Sequence, residues 1–375
     1  MSDINFVTTD AAKILDDLIL QFETAYGQTF YPTDERRIFL EQLAQVIVGL
    51  KNDINQSARE NLLKYATGNE LDALGDFYNS DRIPAQKAKT TFRFMLSTAQ
   101  ALPITIPTGT RVTPDGKLYF ATTQDLSIPI GQTTGDISAE ATVGGIDYNG
   151  FAPGQIKNLV DSVPYVASVS NTDTSSGGSD IEADDDGTNI WSGYRERIRL
   201  APESYSVAGP EGAYIYWAKT TDVNISDINV ASPTAGNVTI TVLMKNGQLP
   251  TQPILDAVTA VVSAKDRRPL TDNVTVAAPT EVAYNITLTY YISKERPAEE
   301  TSIKSAIEGT NGSVDQYKAW QCEKLGRAIN PDYLKQLMLN VGVSRVDITV
   351  PVYTAVNANQ VPKVGVVTLT YGGLI

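Results

Sequence analysis

The chain reads as a multidomain α+β protein: an N-terminal long-helix bundle segment, a β-rich middle domain, and two small C-terminal α+β domains. Three observations predict this. One amphipathic run fills Thr33–Tyr65, short alternating pieces replace it from Thr91 onward, and beyond Arg195 helix-like and strand-like stretches alternate. With 375 residues and 42% apolar content, the chain has room for several domains with real cores. The composition shifts divide it into residues 1–84, 85–193, 194–279 and 280–375.

A first helix fits Asp10–Tyr26. Its stripe is Ile14, Leu15, Leu18, Ile19 and Phe22, with Asp10 as cap and Gly27 at its end. The long run follows Pro32, with Thr33 as its expected cap and Asp34 and Glu35 placing negative charge in the first turn. Phe39, Leu40, Leu43, Val46, Ile47, Leu50, Ile54, Ala58 and Leu62 recur mostly at helical steps of three and four. At 1.5 Å per residue such a helix would be roughly 50 Å long. That length suits a strut whose stripe is covered by other helices. Gly68 is the expected stop, and a third helix over Asn69–Asn79 buries Leu71, Leu74 and Phe77.

The period then changes. Thr91–Leu96 alternates as a strand does, and Ile104–Ile106, Leu118–Phe120 and Leu126–Ile128 follow between Pro- and Gly-containing turns. Asn171–Gly193 is poor in large apolar residues and reads as an exposed loop. Helices are expected over Arg195–Leu200, Pro210–Thr220, Gln252–Ala264, Ala298–Glu308 and after the Asn330–Pro331 start signal. Strands are expected over Ile225–Val230, Asn237–Leu243, Glu281–Ile292, Ser344–Val350 and Val364–Thr370. The two C-terminal units could be distant variants of one plan.

Composition excludes much chemistry. The chain has no histidine, which removes Ser-His-Asp and Cys-His nucleophilic systems and histidine zinc sites. The single cysteine, Cys322, has no internal disulfide partner and reads as a buried thiol. A net charge of −13 argues against broad nucleic-acid contact. No apolar run is long enough for a membrane span, and Met1–Asp10 lacks the basic and apolar regions of a signal peptide.

A few clusters have side chains suited to chemistry. Glu182, Asp184, Asp186 and Gly187 follow the spacing of a calcium loop, but Gly193 stands where the distal bidentate acid belongs. A solvated acidic loop is the expectation, with no metal and no cofactor. Carboxylate pairs for glycoside hydrolysis are possible in principle, with Tyr148 and Trp191 as a sugar platform, but no spacing fixes them. Gly144-Gly145 and Gly177-Gly178 lack the lysine and the strand-to-helix context of a phosphate loop. Arg195-Glu196-Arg197 could clamp a phosphate; ion pairs with neighbouring acids or another chain fit better. Arg268-Pro269-Leu270-Thr271-Asp272 reads as a stiff helix-to-strand connector.

From about Asn69 to Pro351 the chain also carries an ordered set of motifs. They are Glu70–Gly75 with Arg82, Ala85 and Ala88; Pro107–Thr110 and Phe120–Thr122; and Gly144-Gly145 with Asn149, Gly154 and Ile156. Gly177–Asp184 with Arg195–Ile198, Arg268–Val274, and Gly342-Val343 before Val350-Pro351 complete the set. In this order they resemble the J-like baseplate wedge proteins of contractile phage tails and related particles, including tailocins. Asp185–Gly193 departs from the family pattern as an insertion.

The resemblance implies a structural baseplate protein, not an enzyme. It implies a wedge in which two copies of such a chain join one smaller partner through a shared helical bundle. The C-terminal domains, here residues 280–375, would join neighbouring wedges into a ring around the central hub and sheath-initiator proteins. It further implies assembly in a bacterial host's cytoplasm and release by lysis. Contraction would be relayed by rotation near Pro84, the Asn171–Gly193 loop and Pro279. Interface candidates are Phe39, Leu43, Val46, Leu50 and Ile54 on the long helix, with Arg195, Arg197, Arg268 and Asp272. The competing readings are a carboxylate-dependent cell-envelope glycan hydrolase and a receptor-binding tail module.

Overall fold

The first helix starts where its cap predicts. In the computed structural model, which describes residues 4–187, 189–206 and 208–375, α1 spans Ala11–Tyr26, and Asp10 Oδ1 accepts the Lys13 amide at 3.1 Å. Gly27, at φ +67°, closes it. The long helix is shorter than expected: α2 spans Glu35–Glu60, 26 residues, about 39 Å at the α-helical rise. Asp34, not Thr33, is its cap, accepting the Arg36 amide at 2.9 Å. It stops where the Asn61 side-chain Nδ2 donates back to the Ser57 carbonyl, its backbone amide turns to the Arg59 carbonyl, and the chain continues in turns through Ala66. Gly68 opens α3 (Gly68–Asp76) rather than ending α2.

Contacts divide the chain into two units. The first runs to Arg82 and also contains Ala183–Arg199, with most of α4 (Gly193–Leu200). Its helices bury two small clusters: Ile19, Phe30 and Leu40, and Ala66, Leu71, Tyr194 and Ile198.

The second unit contains four sheets, one of them a two-stranded pair, around three separate cores. Its first domain holds β1 (Lys89–Leu96), β2 (Ile104–Ile106), β3 (Arg111–Thr113), β4 (Phe120–Thr122), β5 (Leu126–Ile128), β6 (Thr134–Ala141), β7 (Asn158–Leu159) and β8 (Val166–Asn171). Six of them form a sheet in the order β7-β3-β4-β6-β1-β8, and β2 pairs with β5. The edge strands β7 and β8 touch, so the sheet curls nearly closed. Thr90, Phe92, Phe94 and Leu96 of β1 point inward by strand alternation, with Ile106, Val112, Phe120 and Ile156 completing a dry core.

The strand expected at Leu118–Phe120 lies two residues later. Asp115 Oδ1 accepts the amides of Lys117 and Leu118, each at 2.9 Å, and holds them in the turn. Asn171–Gly193 is not simply an exposed loop. Asn171, Ser175, Ser179 and Glu182 are all buried. Asn171 accepts the Ile156 amide and donates to the carbonyls of Phe151, Ala152 and Asp173. A segment without large apolar side chains is buried here because its polar groups satisfy neighbouring backbone.

The remaining chain gives two small α+β domains. The first contains α5 (Glu211–Lys219), β9 (Ile225–Thr234), β10 (Asn237–Met244), α6 (Gln252–Val262) and β11 (Asn273–Ala277), with sheet order β11-β10-β9. The last contains β12 (Thr280–Ile292), α7 (Glu300–Glu308), α8 (Ser313–Cys322), α9 (Pro331–Asn340), β13 (Val343–Val350) and β14 (Gln360–Leu374), ordered β13-β12-β14. Each sheet has one antiparallel and one parallel pair, but the central strand comes second in chain order in one and first in the other. Asn330 caps α9 through the Asp332 amide, as its Asn-Pro signal predicts. Cys322 is only partly buried; desolvation still pushes its thiol up.

Candidate assembly surface

Helix α2 presents its apolar residues on two adjacent faces. Leu40 and Ala44 are buried, with Ile19 and Phe30 beside Leu40 and with Leu15, Phe22 and half-buried Leu43 packed around them. Asn55 lies further along this side. Its Oδ1 accepts the Phe6 and Val7 amides at 2.8 and 2.9 Å, and its Nδ2 donates to the Val7 carbonyl, tying the N-terminal segment to α2. Roughly a third of a turn away, Phe39, Val46, Leu50 and Ile54 are 63%, 59%, 57% and 51% exposed. Single exposed apolar residues are ordinary; these four form an aligned row along one helix that its own chain leaves uncovered. At its start lies a concavity of about 290 Å³, lined by Phe22, Tyr26, Glu35, Arg36, Phe39 and Leu40. Arg36 is held over the Phe30 ring at 4.3 Å by its ion pair with Asp34.

Arg195 and Arg197 have a different place. They are 2% and 4% exposed. Arg195 Nη1 donates to the carbonyls of Leu63 and Ala66, and Nη2 reaches Asp185 at 3.4 Å. Arg197 Nη2 donates to the Asp81 carbonyl. Just before them in sequence, Tyr194 donates to the Ser80 carbonyl at 2.6 Å, and Arg82 lies over its ring at 4.6 Å. Arg82 in turn bridges Asp72 and Asp184. The arginine-rich helix therefore fastens the α2–α3 turns from inside.

In the acidic segment Glu182 is buried and Asp184 is half-buried and ion-paired, whereas Asp186 and Gly187 are exposed, so the solvated-loop expectation fails for its first half. Burial raises the Asp184 pKa, but hydrogen bonds from Arg82 and the Gly68 amide outweigh it and hold the carboxyl below its ordinary value. Glu182 accepts the Ile83 amide at 3.1 Å. Among the described residues, no cluster of three or more acidic, cysteine or histidine side chains is placed to hold a metal. Tyr148 is buried edge-on against Phe120 at 5.5 Å, so its face is not available as a sugar platform.

Arg268 and Asp272 brace the turn between α6 and β11. Arg268 donates to the carbonyls of Ser263, Pro269 and Asp272. Asp272 Oδ2 accepts the Tyr214 hydroxyl at 2.7 Å. Burial first, and Asp272 second, push the Tyr214 hydroxyl pKa up.

The glycine motifs have a structural explanation. Asn149 brackets Gly178, donating to its carbonyl at 2.7 Å and accepting its amide at 2.8 Å. A Cβ on Gly178 would lie 2.4 Å from the Gly145 carbonyl oxygen. Asp180 Oδ1 accepts the Ile146 amide at 3.0 Å. Sequence reading missed Asn55 and Tyr194 as organising residues. Gly75 entered it only as the last residue of the Glu70–Gly75 motif.

Comparison with known proteins gives three successive matches along the chain. Residues 34–89 match the baseplate J-like N-terminal domain, residues 91–178 the baseplate J-like protein barrel domain, and residues 206–278 the baseplate J-like central domain. Baseplate protein J of Escherichia phage P2 is 34% identical over 159 residues, covering 42% of this chain and 51% of that protein. The chain thus matches about half the length of that relative. A chain in the cryo-EM structure of the anti-feeding prophage baseplate, six-fold symmetrised, is similar at a TM-score of 0.47 and 12% identity, over 94% of this chain and 90% of that one. Likeness at that level carries no conclusion about function.

Proposed function

The chain belongs to the baseplate J-like family, and from that membership we propose that it is a structural wedge component of the baseplate of a contractile injection particle. The observation that carries this is the ordered match of N-terminal, barrel and central domains along one chain. The bare row Phe39, Val46, Leu50 and Ile54 supports a shared helical bundle with a second copy and a smaller wedge protein. Covering that row would contribute about 25 cal/mol per Å² of apolar surface before ordering costs. Residues 280–375 join neighbouring wedges into a ring around the central hub, with sheath-initiator proteins as further partners. The protein works by position, without cofactor or catalysis. It acts in the tail baseplate, after assembly in the host cytoplasm and release by lysis.

Triggering is relayed through rigid domains that turn near Pro84, the Asn171–Gly193 segment and Pro279 with little internal refolding. Mass analysis of purified particles tests the assignment. A stoichiometric tail component accompanied by sheath and hub chains is expected; absence from intact particles contradicts it. Incubating the isolated chain with peptidoglycan and surface glycans addresses the hydrolase reading. Reproducible cleavage, lost on substituting a defined acidic pair, would replace the structural role. Direct binding of the isolated chain to target cells would favour a receptor-binding module.

A further inference from the structure

The joint between the last two domains is closed by contacts that neither core supplies. Only Ala278 and Pro279 separate β11 from β12, and Pro279 is buried. Three backbone amides carry the joint outward from there. Thr280 donates to the Asn359 carbonyl at 3.3 Å, Gly326 to the Gln360 carbonyl at 2.9 Å, and Leu325 to Asp227 Oδ2 at 2.9 Å. The first two bonds lie within the last domain. The third crosses to β9 of the domain before it.

A second contact sits at Cys322, the last residue of α8. Gly247, at φ +67°, is buried against it, and a Cβ there would lie 2.7 Å from the cysteine Cβ. The turn that presents Gly247 is fixed by its own domain, through the Lys245 amide on the Asn224 carbonyl at 2.7 Å. The Arg327 guanidinium, 4.2 Å over the Trp320 ring, lies close enough to Asp227 for their charges to attract. The two apolar cores share no residue. An interface without a common apolar core is the kind across which domains move.

We infer that Asp227 and Gly247 form a clasp with Leu325 and Cys322, one that holds the Pro279 joint at a fixed angle and must open before the last domain can turn. One carboxylate on an amide and one close backbone approach set the angle, yet they break without disturbing either core. The clasp deepens the proposed relay of triggering, and its role in particles rests on that reading.

Cys322 is the only cysteine, so its rate of reaction with Ellman's reagent in the full chain reports opening. Asp227→Ala removes the acceptor, whereas Asp227→Asn removes the same charge and keeps an acceptor oxygen. The thiol should react about tenfold faster in Asp227→Ala and within about twofold of the unsubstituted rate in Asp227→Asn. The Leu325 amide should exchange faster in the first variant only. Thermal melts and unchanged exchange across Ile240–Leu243 verify that the sheet stays folded. Equal rates in all three proteins, or equal acceleration by both substitutions, overturn the clasp. In purified particles warmed stepwise, Asp227→Ala should contract several degrees below Asp227→Asn, with contracted sheaths counted by electron microscopy. Contraction of both at one temperature overturns the role in triggering and leaves the wedge reading intact. Absence of the unsubstituted chain from particles removes that reading and the trigger role together, while the thiol and amide rates still decide the clasp.

Discussion

The hydroxyl of Tyr194 occupies the space that a side chain at Gly75 would need. A Cβ on Gly75 would lie 1.9 Å from Tyr194 Oη and 2.7 Å from the Ser80 carbonyl oxygen that this hydroxyl bonds. Residues far apart in sequence thus meet at a contact that admits no methyl group.

Gly75→Ala should destabilise the N-terminal unit by about 1–3 kcal/mol through overpacking, despite alanine's better helix propensity. Urea unfolding followed by amide exchange in α3 measures this. Unchanged stability would mean that α3 and α4 part at no cost.

Arg195→Leu should cost about 1–3 kcal/mol, because the Leu63 and Ala66 carbonyls lose their donor where water does not replace it. Arg195→Lys should recover little, since a single ammonium cannot reproduce the guanidinium fork. Chemical denaturation of both variants decides between this bond geometry and a simple need for positive charge.

Two groups give the N-terminal unit opposite pH limits. Burial, then the charge of Asp72, push the Tyr194 hydroxyl up from 10.0 to about 12. Its neutral form is thus favoured by folding. This contribution is complete below pH 10 and is lost as pH rises toward 12. Asp184 is held below its ordinary 3.8, so its contribution is present above that value and is lost as pH falls through the folded value. Stability profiles of Tyr194→Phe and Asp184→Asn should lose the alkaline and the acid dependence, respectively. Unaltered profiles would contradict both assignments.

Tyr214→Phe should cost about 1 kcal/mol by removing the hydroxyl bond to Asp272. The effect should be local, seen as faster amide exchange over Asn273–Ala277. Uniform exchange across the domain would show that the connector is not what Tyr214 holds.

The sequence showed most clearly those elements whose side chains are large and periodic. α1 and its Asp10 cap, β1 and the Asn330–Pro331 start of α9 lie close to their expected positions. β6 was missed because its inward residues after Ile137 are only Ala139 and Ala141. Burial of the Asn171–Glu182 segment was hidden for a related reason. Its interior groups are polar, and their partners lie elsewhere in the sequence. Periodicity found the apolar residues of α2 but could not say which face its own chain would cover. Leu40 and Phe39 are neighbours in sequence, yet one is 1% exposed and the other 63%. Arg195 and Arg197 had the right chemistry for specific pairing, but their carbonyl partners were not legible from composition.

The shared helical bundle of the proposed wedge rests on the open face of α2, and Leu50→Asp tests it. Leu50 is 57% exposed in the single chain, so this substitution should change the chain's own stability by no more than about 0.5 kcal/mol. Co-expression with the other wedge chains, followed by pull-down and electron microscopy of particles, should then show a folded protein that fails to join its partners and leaves baseplates incomplete. Normal recovery of Leu50→Asp in intact baseplates would contradict the account.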